Sequence, residues 1–151
     1  RVSVASVEKD RRGHNPALDK EAVKKNLEVK QRMQQISEEL SNTDKQGRLD
    51  WMTKTKGTAD DMYKAGLFSE AMVRYLDVLM ALNDEQLGEE TVKDWKVKIC
   101  GNMAMCAVET KQIGKARELA KNCVSADPSN WRGHYRRGIV LERAEDFQGA
   151  L

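Results

Sequence analysis

The stretch KAGLFSEAMVRY, residues 64–75, recurs in altered form as TKQIGKARELA at 110–120 and as RAEDFQGAL at 143–151. Laid over one another without gaps, the three segments bring Phe68, Ile113 and Phe147 into register, with Ala71, Ala116 and Ala150 three positions later. Upstream, the same register aligns Ala59 with Ala104 and Gly138, and Met62 with Ala107 and Leu141. Ile113 and Phe147 lie 34 positions apart, and Phe68 and Ile113 lie 45 apart, the same interval lengthened by 11 around the acidic stretch Asn83 to Glu90. Such a period, with one small residue early in each of two helical segments, describes stacked helix pairs. The small residues are required because paired helices approach closely where their axes cross. An all-α helix-turn-helix solenoid is therefore predicted over residues 45–151, with repeats at about 52–85, 97–130 and 131–151.

Outward from this unit, residues 17–44 read as a long amphipathic helix and its closing turn. Val29, Met33, Ile36 and Leu40 fall on one stripe, and Ser41-Asn42-Thr43-Asp44 breaks the pattern with residues suited to capping the next helix. The stripe loosens toward its start, which favours docking on its own C-terminal neighbours over a sustained coiled coil. Residues 1–16 carry no helical period, end in Asn15-Pro16 and are expected to form an extended or disordered arm.

Composition narrows the function. The chain has 151 residues, 33% charged and 40% hydrophobic, with 26 Lys+Arg against 24 Asp+Glu. The longest apolar runs resemble Val78-Leu79-Met80-Ala81-Leu82, far short of the roughly 20 residues that span a bilayer, so no membrane association is expected. Charge is uneven: residues 44–90 hold 6 Lys+Arg and 10 Asp+Glu, whereas residues 91–151 hold 11 and 7. The basic residues of the last third are interleaved with acids, which argues against a nucleic-acid partner. Cys100, Cys106 and Cys123 form no CxxC pair, so buried thiols in a reducing, cytoplasmic compartment are expected and no metal or other cofactor. The sequence lacks a glycine-rich phosphate loop, HExxH and GxSxG, and its adjacent acids Asp60-Asp61 and Glu89-Glu90 diverge on a helix, so no enzyme is expected. His134 has no carboxylate at triad spacing and reads as structural, as Trp51 and Trp95 read as packing residues.

On the repeated residues above, the chain resembles the tetratricopeptide repeat (TPR) family over about residues 52–151, with Pro128 in Asp127-Pro128-Ser129-Asn130 at the turn that closes the second repeat. Departures are Thr55 where a large residue is usual and a first repeat without its closing Pro. The resemblance implies a concave groove lined by the first helix of each repeat. In the carboxylate-clamp subgroup that groove carries Lys, Asn, Asn, Lys or Arg, and Arg. The matching positions here are Lys56, Asp60, Asn102, Arg132 and Arg136, the last two four apart on one helix face. The implied ligand is the Glu-Glu-Val-Asp tail of a cytosolic heat-shock chaperone, whose final residue presents two carboxylates to charge-assisted donors, with Asn102 on the main-chain one.

Asn102-Met103-Ala104-Met105-Cys106, Tyr135-Arg136-Arg137-Gly138 and Lys56-Gly57-Thr58 are also similar to TPR domains of the large immunophilins. Matching the last of these to the family's Lys-Gly-Thr would make Lys54 the clamp lysine and put Thr58 in place of Asp60; the ungapped register favours Lys56. Asp60 in the groove would cost affinity for an acidic ligand unless it pairs with a neighbouring cation. Met105 and Tyr135 are candidate groove residues, and Met103 and Met105 are not expected both to face the core of one helix. The competing expectation is a scaffold subunit whose groove is filled by a fixed partner of a larger assembly or covered by the 17–40 helix.

Overall fold

The computed structural model describes residues 16–149, so the arm expected over residues 1–16 lies outside the described residues except for Pro16. Among the described residues seven helices follow one another: α1 (Pro16–Leu40), α2 (Lys45–Lys64), α3 (Phe68–Met80), the single turn α4 (Asp84–Leu87), α5 (Glu89–Glu109), α6 (Ile113–Ala126) and α7 (Trp131–Gly149). They pack in the order α2 on α3, α3 on α5, α5 on α6 and α6 on α7, a helix-turn-helix solenoid. Pro16 opens α1 at the position where its missing N–H costs nothing. Asp44 caps α2 by accepting from the Gly47 N–H at 2.8 Å, as the break at Ser41 to Asp44 predicts.

Alanines set the spacing between these helices. Ala59 on α2, Ala71 on α3, Ala104 and Ala107 on α5, and Ala116 and Ala120 on α6 expose no surface at all. α5 is the hub: from Val97 to Val108 it is buried on nearly every side, so Met103 and Met105 are both core residues. The expectation that only one of them could be buried fails because α5 packs against α3 on one flank and against α6 and α7 on the other.

The first helices of the three units begin at Lys45, Glu89 and Trp131. The insertion is absorbed as α4 and as an N-terminal extension of α5, with Gly88 between them at φ 88°, a conformation that suits glycine. The turns after α2 and α5 use left-handed residues at aligned positions, Gly66 at φ 81° and Lys111 at φ 62°. Glu145 occupies the third aligned position, yet α7 continues through it to Gly149. A second helix starting near Phe147 is not found among the described residues, where α7 runs to Gly149.

Two arginines fasten the remaining elements. Buried Arg48 donates from Nη1 to the Ala81 carbonyl at 2.7 Å, from Nη2 to the Leu40 carbonyl at 3.5 Å and from Nε to Gln86 Oε1. Gln86 in turn donates to the Thr43 carbonyl at 2.8 Å. The two carbonyls are C-terminal ends of α1 and α3, where helix dipoles place partial negative charge, so Arg48 is satisfied without a carboxylate. On α3, Asp77 is 1% exposed and accepts from Arg32 of α1 through Nε and Nη2 at 3.0 Å each, with Arg74 at 3.2 Å. With Ile36 and Leu40 in the core, this fork seats the C-terminal half of α1 on α3, as expected of a helix that docks on its own neighbours.

Arg48→Met should lower unfolding free energy in urea by about 2–4 kcal/mol, since it strips the donor from two helix-end carbonyls and from Gln86. Lys111→Gly should raise it by about 1 kcal/mol by removing the left-handed penalty of a side chain.

Candidate functional site

The solenoid turns one face of α2, α5 and α7 into a common groove. Two adjoining cavities occupy it, of about 340 Å³ and 280 Å³, and Asn102 and Arg136 line both. The larger is bordered by Lys56 from α2, by Asp94, Lys98 and Asn102 from α5, and by Arg132 and Arg136 from α7. Residues 46 positions apart in sequence, such as Lys56 and Asn102, therefore face one space. The smaller cavity takes in Asp60, Tyr75, Asn102, Met105 and Arg136.

Lys56, Asn102, Arg132, Arg136, Asp60, Met105 and Tyr135 all line this groove. Lys54 does not. It borders a separate cleft of about 330 Å³ beneath α1, with Arg32, Trp51, Thr58 and Arg74. Two steps along a helix turn a side chain by roughly 200°, so Lys54 and Lys56 point to opposite sides. The ungapped register is also the one that buries Ala59 completely and leaves Gly57 in open space. α1 lies along that second cleft and borders neither cavity of the groove, so the described part of the chain does not cover it.

Asp60 is tied on both sides. Its carboxylate pairs with Lys56 Nζ at 2.9 Å and accepts the hydroxyl of Tyr75, which is 2% exposed. Burial first, and then the hydrogen bond to Asp60, raise the Tyr75 pKa above the ordinary tyrosine value. Lys98 pairs with Asp94 at 2.9 Å and sits 5.8 Å from the Trp95 ring centroid. Arg132 and Arg136 have no carboxylate partner among the described residues. Arg132 lies 5.6 Å from the Trp131 ring centroid, and Arg136 runs along α5 where Gly101 leaves room, for a Cβ there would come within 2.9 Å of Arg136 Cγ.

Sequence reasoning missed Asp94, Val97, Lys98 and Trp131 at the larger cavity and Tyr63, Lys64 and Tyr75 at the smaller. Asp94 and Lys98 stand eight and four positions before Asn102, a helical stripe that could have disclosed them. Trp131 could be found only from its surroundings: with Tyr135 it forms an open platform, the two residues 67% and 64% exposed and their rings 6.2 Å apart. His134 accepts its structural reading, its Nε2 lying 2.7 Å from the Pro128 carbonyl. Cys100, Cys106 and Cys123 are free and buried, and burial pushes the first two thiols up to about 11. Among the described residues, no group of three or more His, Cys, Asp or Glu could hold a metal ion, and no helix is long and apolar enough to cross a membrane.

Such an arrangement, a solenoid with a cation-rich groove and an open aromatic platform, defines a helical-repeat module suited to holding a peptide segment. Among curated proteins, the chain is similar to peptidyl-prolyl cis-trans isomerase FKBP4 of Mus musculus, at 28% identity over 100 residues covering 64% of this chain and 21% of that protein. FKBP4 of Rattus norvegicus is 27% identical over the same shares of the two chains. This chain thus spans about a fifth of the length of these relatives. No family profile matches it, and no solved structure does. The packing order of the helices is that of the helix-turn-helix solenoid which the repeat resemblance implies.

In a spectrophotometric alkaline titration, Tyr75 should ionise last of the three tyrosines. Its raised pKa means that its share of stability is intact below pH 10, the ordinary value, and drains away above it. Asp60→Ala should advance that ionisation to lower pH, because it removes the acceptor that favours the neutral phenol; an unchanged titration would contradict the assigned hydrogen bond.

Proposed function

We propose that the chain is a non-enzymatic adaptor, a co-chaperone segment acting in the cytoplasm, whose groove binds an acidic C-terminal tail of the Glu-Glu-Val-Asp type carried by a heat-shock chaperone. One observation carries this reading: Lys56, Asn102, Arg132 and Arg136, drawn from three helices, border one cavity. Arg132 and Arg136 offer planar forks to a carboxylate, and the Asn102 amide adds a donor without adding charge. Each hydrogen bond to an ionised group is worth about 1.5–3 kcal/mol, so a few of them reach micromolar affinity, roughly 8 kcal/mol, after the cost of ordering a short tail. Trp131 and Tyr135 would receive the apolar residue next to the acids.

The relatives' names state an isomerase activity; the present chain is assigned the binding role alone. What supports this is the chemistry of the groove, in which fixed ion pairs and donors to an anion predominate and the Tyr75 hydroxyl is already committed to Asp60.

Fluorescence polarisation with a labelled peptide ending in Glu-Glu-Val-Asp tests the proposal. The expected result is micromolar binding that weakens at least tenfold in Arg136→Ala, by loss of about 1.4 kcal/mol or more, and that falls steeply between low and physiological salt. Absence of binding at millimolar peptide would overturn it and leave the scaffold reading, in which a fixed partner fills the groove through contacts that salt does not weaken.

A further inference from the structure

The groove holds more cations than it has free. Four basic residues border the larger cavity, Lys56, Lys98, Arg132 and Arg136. Two of them are already neutralised within the fold, Lys56 by Asp60 and Lys98 by Asp94, each at 2.9 Å. Arg132 and Arg136 form no ion pair among the described residues, and both stand on α7. Unpaired positive charge at the larger cavity is therefore confined to its α7 wall, while α2 presents an ion pair whose anion faces the smaller cavity beside Asn102 and Lys64.

Asp60 is not a free surface acid that a ligand could push aside. Its two oxygens are divided between Lys56 Nζ and the Tyr75 hydroxyl, and Tyr75 is anchored in the core. A carboxylate arriving at Lys56 must share the ammonium with Asp60, whereas one arriving at Arg132 and Arg136 displaces no ion pair, the nearby Asp94 being paired with Lys98. Lys56 and Asp60 are 28% and 33% exposed, so their pair is screened less than one at an open surface.

We infer that Asp60 is a specificity-determining residue that reserves the α2 end of the groove for an uncharged part of the ligand, so that the site discriminates weakly for a second carboxylate on the terminal residue. The inference rests on the groove reading proposed above and sharpens it: the selected ligand is an acidic segment anchored by one carboxylate at the α7 wall, and the tail's last carboxylate adds little while Asp60 is ionised. Asp60 acts here through charge at the binding surface as well as through its bond to Tyr75, and the two roles separate in a neutral side chain of the same shape. Asn keeps an oxygen to accept the Tyr75 hydroxyl, loses the negative charge and frees Lys56.

The test measures the 151-residue chain and Asp60→Asn against two labelled peptides that differ only in a free or amidated C-terminus after Glu-Glu-Val-Asp, with Arg136→Ala as a control on the groove and thermal melts as a control on folding. Asp60→Asn is expected to bind the free acid about tenfold tighter than the wild type and the amide within about threefold, so the preference for a free end appears on removal of one charge. Asp60→Ser, smaller and also neutral, should shift the free-acid-to-amide ratio in the same direction, which a purely structural role would not do. An unchanged ratio in both folded variants, with Arg136→Ala weakened, would overturn the inference about Asp60 and leave the groove assignment standing. Equal binding by Arg136→Ala and the wild type would overturn both.

Discussion

Close approach of helix pairs is the constraint on which everything else in this protein depends. Ala59, Ala71, Ala104, Ala107, Ala116 and Ala120 have no exposed surface, and a longer side chain at any of them would force two helix axes apart. Near contact, in turn, places Lys56 on α2, Asn102 on α5 and Arg136 on α7 around one cavity although they are far apart in sequence. Gly133 extends the same logic to the last interface: a Cβ there would meet the Cys123 carbonyl oxygen at 3.0 Å, so α7 sits against the backbone of α6. The groove is a consequence of helix spacing before it is a collection of polar residues.

Polar groups inside the fold act as fasteners at the places where the repeat pattern fails. The first repeat lacks a closing proline and is followed by an acidic insertion, and here Arg48 draws together the ends of α1 and α3 and, through Gln86, the inserted turn α4. Its charge is met by helix-end carbonyls rather than by a counter-ion, which suits a junction where three chain segments stop or turn. Asp77 serves the neighbouring contact differently. Nearly without exposure, it is held by Arg32 from α1 and Arg74 from its own helix, so a buried carboxylate that would be costly alone becomes the point at which α1 attaches. The exposed residues Val23 and Leu27 stand a helical turn apart, on the side of α1 away from Ile36 and Leu40.

In the groove the same economy of charge has a different result. Lys56 and Lys98 satisfy acids of their own helices, each at a spacing of four residues, and the arginines of α7 are left unmatched. At the larger cavity unmatched positive charge is thus a property of one wall. Gly101 contributes by having no side chain, letting Arg136 lie along α5 next to Asn102. Steric room on one helix and a charge on another combine to present a donor surface that neither helix forms alone.

Much of this was legible in the sequence because it is written in intervals. The recurrence of a large apolar residue followed by alanine gave the helix pairs, the break at Ser41 to Asp44 gave the end of α1, and the register of Ala59 with Ala104 selected Lys56, since a helix turns by a fixed angle per residue. That Lys54 borders the other cleft, beneath α1, was not legible in the sequence. The helix starts at Lys45 and Glu89 were not legible, because nothing local marks where a helix begins when the preceding insertion is itself helix-forming. Periodicity also could not reveal that α5 is enclosed on both flanks and buries Met103 and Met105 together, nor that α7 passes straight through Glu145. The sequence by itself determined the periodic helices and the residues that face one way along each, because those follow from covalent geometry and side-chain size. Only the tertiary structure decided which faces meet, which of the groove's cations are already paired, and that Asp60 bridges Lys56 and Tyr75, because burial and Coulomb interactions depend on distances between segments that no single helix contains.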